Sequence, residues 1–193
     1  VFNMVKLRSM AIGSDKNGVD STSADDNRIT PIGKLVRSYK LDEISQLWNV
    51  LLGDMSLVGP RPNVKTETDI YTSIEKKILL AKPGITDLAS IVFSDEGSIL
   101  KGESDPNIAY NQLIRPWKSR LALVYIENSS ITLDIGIIFY TVISFLSKPM
   151  ATRWVSMQLE KIGADKKLIN VTLRLDDLEP FPPPGSNKVV TSR

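Results

Sequence analysis

The sequence predicts an α/β fold that is mainly helical and compact, with short β strands. Three observations predict it. Apolar residues recur at i, i+3, i+4 and i+7 in several separate stretches, the spacing of helices with one buried face. Two helix-start pairs, Thr30-Pro31 and Asp105-Pro106, stand ahead of such stretches. Short apolar runs around Phe2–Leu7, Met55–Val58 and Ile85–Phe93, bounded by polar or Gly/Pro segments, leave room only for brief strands.

Val1 to Met10 reads as a strand or extended segment, with Lys6 and Arg8 on one face at period two. Ala11 to Asn27 is rich in Gly, Ser, Asp and Asn and reads as a loop. Thr30 caps a first helix with the stripe Ile32, Leu35, Val36 and Tyr39, ending near Lys40. A second helix carries Ile44, Leu47, Trp48 and Leu51, stops at Gly53, and holds Asp42 and Glu43 in its first turn. Met55 to Val58 is extended up to the Gly59-Pro60 turn. Ile70, Ile74 and Ile78 mark a third helix, stopped by Pro83-Gly84. Ile85 to Phe93 follows as a strand, and Ser94 to Ser104 as a loop. A helical region opened by Asp105-Pro106 runs to about Glu127, with a kink or break at Pro116. In Ile131–Leu146, the residues Ile135, Ile138, Phe139, Val142, Phe145 and Leu146 share one face. That run, interrupted by Asp134, falls short of the roughly 20 residues needed to span a bilayer. It is a core helix or an interfacial one. Trp154, Met157, Leu159 and Ile162 suggest one more helix, and the Pro-rich end reads as extended. There is no internal repeat.

Composition narrows the chemistry. The 193 residues suit one domain with appendages, and the net charge of +2 argues against a general nucleic-acid binder. There is no cysteine and no histidine. Disulfides, thiolate nucleophiles, Ser-His-Asp catalysis and most zinc sites are thereby excluded. An enzyme built from this chain must use Asp, Glu, Lys, Tyr, Ser or Thr, with a hard ion such as magnesium as its metal. The chain opens with Val1 inside an extended run, which suggests an N-terminally incomplete fragment.

The segment from Arg28 to Pro62 concentrates the reactive groups. Free N–H groups at a helix start favour an ionised Asp42, as a nucleophile must be. A carboxylate that attacks phosphorus gives an acyl phosphate, which a second acceptor can relieve. Glu43 points about 100° away around the helix and is better placed as a magnesium ligand. Arg61 is stiffened by Pro60 and Pro62, which suits two-pronged phosphate binding. Arg37, with Lys6 or Arg8, adds positive charge. Each feature also has a plainer reading. Acidic first turns are common as capping, Pro-Arg-Pro can be a stiff surface turn, and Arg37 can form a weak surface ion pair. The Ile135–Leu146 face, equally, is more often core than membrane contact. The spacing suggests phosphate chemistry without deciding it.

Several blocks then stand in a familiar order: KLRSM (6–10), RITPIGKLVR (28–37), LDE (41–43), QLWNVLLGDMSLVGPRP (46–62) and PGIT (83–86), followed by LDIGIIF (133–139). Together they closely resemble the bacterial sugar transferase family, the small monotopic polyprenyl-phosphate phosphoglycosyl transferases, over roughly residues 2 to 146. The resemblance implies a membrane-associated enzyme that moves a sugar-1-phosphate from a UDP-sugar to undecaprenyl (polyprenyl) phosphate through a covalent aspartyl intermediate, with release of UMP. It implies Asp42 as nucleophile and Glu43 as its dyad partner and Mg2+ ligand. It implies Arg37, Arg61 and Lys6 as phosphate-binding residues, with looser roles for Arg8 and Asp134. It also implies a catalytic domain over 1–150, a C-terminal helix and tail over 151–193, and a place on the cytoplasmic face of the bacterial inner membrane. A homodimer is one open oligomeric state. Lys40 stands where many relatives carry Ser or Thr, and Ser45 where many carry Pro. Asp87–Gly97 replaces a glycine-tryptophan block, which places the chain in a branch of the family and leaves its sugar open. The family's N-terminal re-entrant helix is not in this sequence. Two other readings stay in view: a non-catalytic scaffold for glycan assembly, and a soluble phosphotransferase. The latter predicts a polar surface all round, whereas a lipid acceptor predicts an exposed apolar patch near the site.

Overall fold

The structure is a computed structural model that describes residues 2–13, 26–39 and 41–192. Lys40 and most of the expected loop 11–27 lie outside the described residues. Helix α1 (Pro31–Ser38) starts where the sequence places it: Thr30 is extended and its hydroxyl accepts the Gly33 N–H at 2.9 Å. Gly33 is required here because an added Cβ would fall 1.8 Å from the Ser9 carbonyl oxygen. The helix thus lies directly on the N-terminal segment.

That segment is not the strand the alternation predicts. Among the described residues only Met10 pairs, in a single antiparallel bridge with Ile29. Upstream, the Asn49 side chain takes the place of a strand edge. Its Oδ1 accepts the Val5 N–H at 2.8 Å and its Nδ2 donates to the Asn3 carbonyl at 2.9 Å. Backbone groups need partners, and a buried amide supplies them as well as a ladder does.

The predicted second helix is two pieces, α2 (Leu41–Ile44) and α3 (Leu47–Leu51). Tighter i→i−3 bonds, Gln46 N–H to Glu43 and Trp48 N–H to Ser45, break the helical run between them. Gly53, at φ +84°, ends α3 as expected. Strand β1 (Ser56–Val58) follows and pairs in parallel with β2 (Gly84–Thr86), in the register Ser56↔Gly84 and Val58↔Thr86.

Between the strands, the predicted third helix is replaced by α4 (Lys65–Thr68) and a 3-10 helix over Glu75–Leu80. The cause is a reciprocal capping box. The Glu75 carboxylate accepts the Thr72 N–H at 3.0 Å, and the Thr72 hydroxyl accepts the Glu75 N–H at 3.1 Å. The strand expected at Ile85–Phe93 ends at Thr86. Asp87 then accepts the Ser90 N–H at 2.6 Å and starts α5 (Leu88–Val92). The loop expected next contains α6 (Glu96–Ile99).

Asp105 caps α7 (Pro106–Ala109), and a π turn over Tyr110–Ile114 leads into α8 (Arg115–Asn128). Pro116 lacks the N–H that would bond Gln112, and that carbonyl accepts the Phe181 N–H of the tail instead, at 3.0 Å. Then come α9 (Ile131–Leu146), α10 (Lys148–Ile162) and the unpredicted α11 (Lys166–Leu173). The Pro-rich tail wraps the surface, with Phe181 stacked on Trp117 at 4.4 Å between ring centres.

One core joins Leu88 and Ile91 of α5, Ile114, Trp117 and Leu121, Ile137 of α9, and Ala151, Val155 and Leu159 of α10. Residue 150, the expected domain boundary, lies within α10. Only Leu133 and Ile137 of α9 are buried. Ile135, Phe139, Val142, Phe145 and Leu146 are all more than half exposed. No helix among the described residues is long and apolar enough to cross a membrane.

A buried ion pair ties the central helices together. Glu75 accepts Arg115 Nε at 3.0 Å, Arg115 Nη2 at 2.5 Å and Ser119 Oγ at 2.7 Å. Arg115 also reaches Asn111 Oδ1 and the Ile70 carbonyl, each at 2.9 Å. Glu75→Ala strands a buried guanidinium and is expected to cost about 3–5 kcal/mol in urea unfolding. Nearby Tyr71 is pushed up from 10.0 to about 12, first by burial, against a hydrogen bond from Asn63. The fold therefore holds this proton longer than the unfolded chain does. Its contribution is fully present below pH 10.0 and lost as pH rises toward about 12. Tyr71→Phe should flatten that part of the alkaline loss in urea midpoints measured against pH.

Candidate active site

Helix α2 is a single turn, and its two acidic residues diverge. Asp42 is buried, with its Oδ2 3.3 Å from Lys6 Nζ. Glu43 is partly exposed, and its Oε1 accepts Arg61 Nη1 at 2.9 Å. Adjacent helical positions lie about 100° apart, so each carboxylate meets a different cation. One turn carries little of a helix macrodipole. The positive field at Asp42 comes instead from Lys6 and Arg37.

Arg37 stands at the end of α1, and its Nε donates to Ser9 Oγ at 2.9 Å. Burial lowers its pKa on balance, while the charges of Asp42 and Asp26 oppose that shift. Arginine remains a cation throughout. Burial also acts to lower the pKa of Arg61, but the charge of Glu43, then Asp87, the Glu43 hydrogen bond and Glu96 outweigh it and raise the pKa. Arg61 donates as well to the Ile85 carbonyl at 3.2 Å, which ties the Pro-Arg-Pro turn to β2.

A cleft of about 410 Å3 opens beside this group, within the size range of small-molecule sites. Lys6, Glu43, Arg61, Asn63, Glu96 and Lys118 are among its lining side chains. Arg115 and Ser119 close it from below, fixed by Glu75. The segment Asp87–Gly97 contributes Asp87, Ser90, Ser94 and Glu96 to the wall. Asp42, paired with Lys6, and Arg37 do not line the cleft. Arg8 is exposed and lies outside it. Asp134 is elsewhere: it accepts the Tyr125 hydroxyl at 2.7 Å and ties α9 to α8. Burial, then that hydrogen bond and charge, raises the pKa of Tyr125.

The sequence reading did not find Asp87, Glu96 or Lys118. Asp87 had a signal, an Asp three residues before Ser90 at a helix start. Glu96 and Lys118 come from separate helices and had none. Around the dyad the surface is apolar. Leu41, Ile44, Leu47, Trp48 and Leu51 are all exposed, Leu51 at 79%.

The model of the bacterial sugar transferase family matches residues 1–148. The chain belongs to the bacterial sugar transferase family. It is 38% identical over 149 residues to a UDP-glucose:undecaprenyl-phosphate glucose-1-phosphate transferase of Klebsiella pneumoniae, covering 74% of this chain and 29% of that protein. It is 34% identical over 151 residues to a Caulobacter vibrioides protein of the same name, covering 76% and 52%. A UDP-N-acetylgalactosamine-undecaprenyl-phosphate N-acetylgalactosaminephosphotransferase of Aeromonas hydrophila is 31% identical over 153 residues, covering 76% and 32%. The chain thus spans about a third to a half of the length of these relatives.

In this member of the sugar transferase family, Arg61 and Lys6 both line the cleft, each held by one of the two adjacent carboxylates. Arg61→Gln should weaken binding of inorganic pyrophosphate, used as an anionic probe, about 10- to 100-fold by titration calorimetry, the scale of one charged hydrogen bond.

Proposed function

We propose that this sugar transferase moves a sugar-1-phosphate from a UDP-sugar to a polyprenyl phosphate such as undecaprenyl phosphate. The observation that carries the reading is the pairing of Asp42 with Lys6 at 3.3 Å beside Glu43 with Arg61 at 2.9 Å, at the edge of one cleft. An Asp42 oxygen attacks the phosphorus that bears the sugar. An acyl phosphate bond forms, the bridging P–O bond to the second phosphate breaks, and UMP leaves with that electron pair. A phosphate oxygen of the lipid then attacks the same phosphorus and the carboxylate is restored. Lys6 covers Asp42 in the structure and is half-exposed, so it is placed to follow the incoming phosphate and uncover the carboxylate. Arg61 holds the diphosphate against the dyad.

Mg2+ fits this arrangement. No group of three or more acidic residues is poised for a metal among the described residues. Magnesium, however, commonly takes one or two carboxylates and completes its shell with substrate phosphates and water. Glu43 is the residue that would hold it, and the bound ion would neutralise charge on the diphosphate.

The lipid acceptor is supported by the apolar surface of α2 and α3 and by the outer face of α9. An all-round polar surface, which a soluble acceptor predicts, is not what surrounds the site. We place the protein on one face of a bacterial membrane, the cytoplasmic face of the inner membrane, lying in the interface without spanning it.

Asp42→Asn should lower UMP release about 1,000-fold or more and remove the phosphosugar adduct from intact-protein mass spectra. Full activity in that variant would reject the nucleophile. Chelation by EDTA should stop turnover, and added Mg2+ should restore it. Phe139→Asp with Val142→Asp should shift the protein out of the vesicle fraction in flotation with anionic liposomes, with its thermal unfolding unchanged.

A further inference from the structure

Glu96 and Lys118 form an ion pair on the wall of the same cleft, from α6 and α8. Their side chains stay 30% and 25% exposed, so the pair faces the cleft and is not sealed beneath it. Lys118 Nζ also sits 5.3 Å from the centre of the Tyr110 ring. The wall is braced by the last residue that the family model matches and by one beyond it. Asp95, next to Glu96, is held by Lys148 at 2.5 Å and faces Arg174 of the α11 terminus at 3.7 Å. Arg174 adopts φ +54°, the sole positive φ of a non-glycine residue among the described residues, and its guanidinium lies 5.5 Å from the Phe93 ring centre. A left-handed arginine costs energy that the surrounding contacts must meet.

We infer that the Glu96–Lys118 pair is the sugar-reading subsite and favours a hexose with free hydroxyls over an N-acetylhexosamine. The inference rests on the functional reading above. In that reading the attacked phosphorus carries the sugar and lies beside Glu43 and Arg61. Glu96 and Lys118 line the same cleft as Glu43 and Arg61, which puts a group attached to that phosphorus within their reach. A carboxylate accepts and an ammonium donates, which matches neighbouring hydroxyls that each do both. An acetamido group can offer the pair its N–H and C=O, but its methyl adds bulk that strips water from the two charges and makes no hydrogen bond of its own, a cost a hydroxyl does not carry. The relatives named above share UDP and undecaprenyl phosphate and differ in the sugar.

The test compares UDP-glucose, UDP-N-acetylglucosamine and UDP on the protein in membranes, by UMP release and by titration calorimetry. Wild type should favour UDP-glucose at least tenfold in kcat/KM. Glu96→Gln and Lys118→Met should each cut that ratio at least fivefold, with UDP affinity changed less than twofold. Arg174→Gln should lower the ratio in the same direction and Arg174→Lys restore it, whereas a merely structural role would lower both sugars alike. An unchanged ratio in both pair variants, a wild type that prefers the N-acetyl sugar, or an equal loss of UDP binding overturns the subsite; the last would assign the pair to the ribose. UMP release that survives in Asp42→Asn overturns the functional reading instead. A wild type that binds no uridine nucleotide overturns both.

Discussion

Two carboxylates on consecutive residues of one helical turn cannot point the same way, and the site follows from that constraint. Asp42 turns back toward the N-terminal segment and meets Lys6, while Glu43 turns toward the Pro-Arg-Pro turn and meets Arg61. Each charge is thus balanced by a cation of its own. The same geometry separates their tasks, since only Glu43 faces the cleft. Asn49 fastens the chain that carries Lys6, and the Ile85 carbonyl fastens Arg61. The dyad therefore connects two parts of the chain that share no strand pairing.

Apolar residues are divided between two uses. The inner side of α9, with Ile137, joins α5, α8 and α10 in the core, while its outer side is bare. Helices α2 and α3 and the turn between them bury Asp42, Gln46 and Asn49 and expose Leu47, Trp48 and Leu51. This inverts the usual order of a water-soluble helix, and it occurs next to Asp42 and Glu43. Exposed apolar area of this kind marks an interaction surface, and it suits an acceptor with a hydrocarbon tail.

Local signals were read correctly where one residue type settles a conformation. Thr30-Pro31 and Asp105-Pro106 both cap helices, and Gly53 ends one. Side chains that bond the backbone override the apolar pattern: Thr72 and Glu75 restart a helix within the expected third one, and Asp87 starts a helix inside the expected strand. At Phe2–Leu7 alternation resembled a strand, but the chain found side-chain partners instead of a neighbouring strand.

The sequence alone determined the chemical inventory. With neither histidine nor cysteine, carboxylates and guanidinium groups were left to do the work, and the ordered blocks around Asp42, Glu43 and Arg61 were legible because they lie within a short stretch of chain. Tertiary structure decided what no short stretch contains. It placed Lys6 over Asp42, moved Asp134 to a tie between helices, and set Glu96 opposite Lys118. The partners in each pair sit on separate elements, and only the packing of those elements brings them within reach of one another.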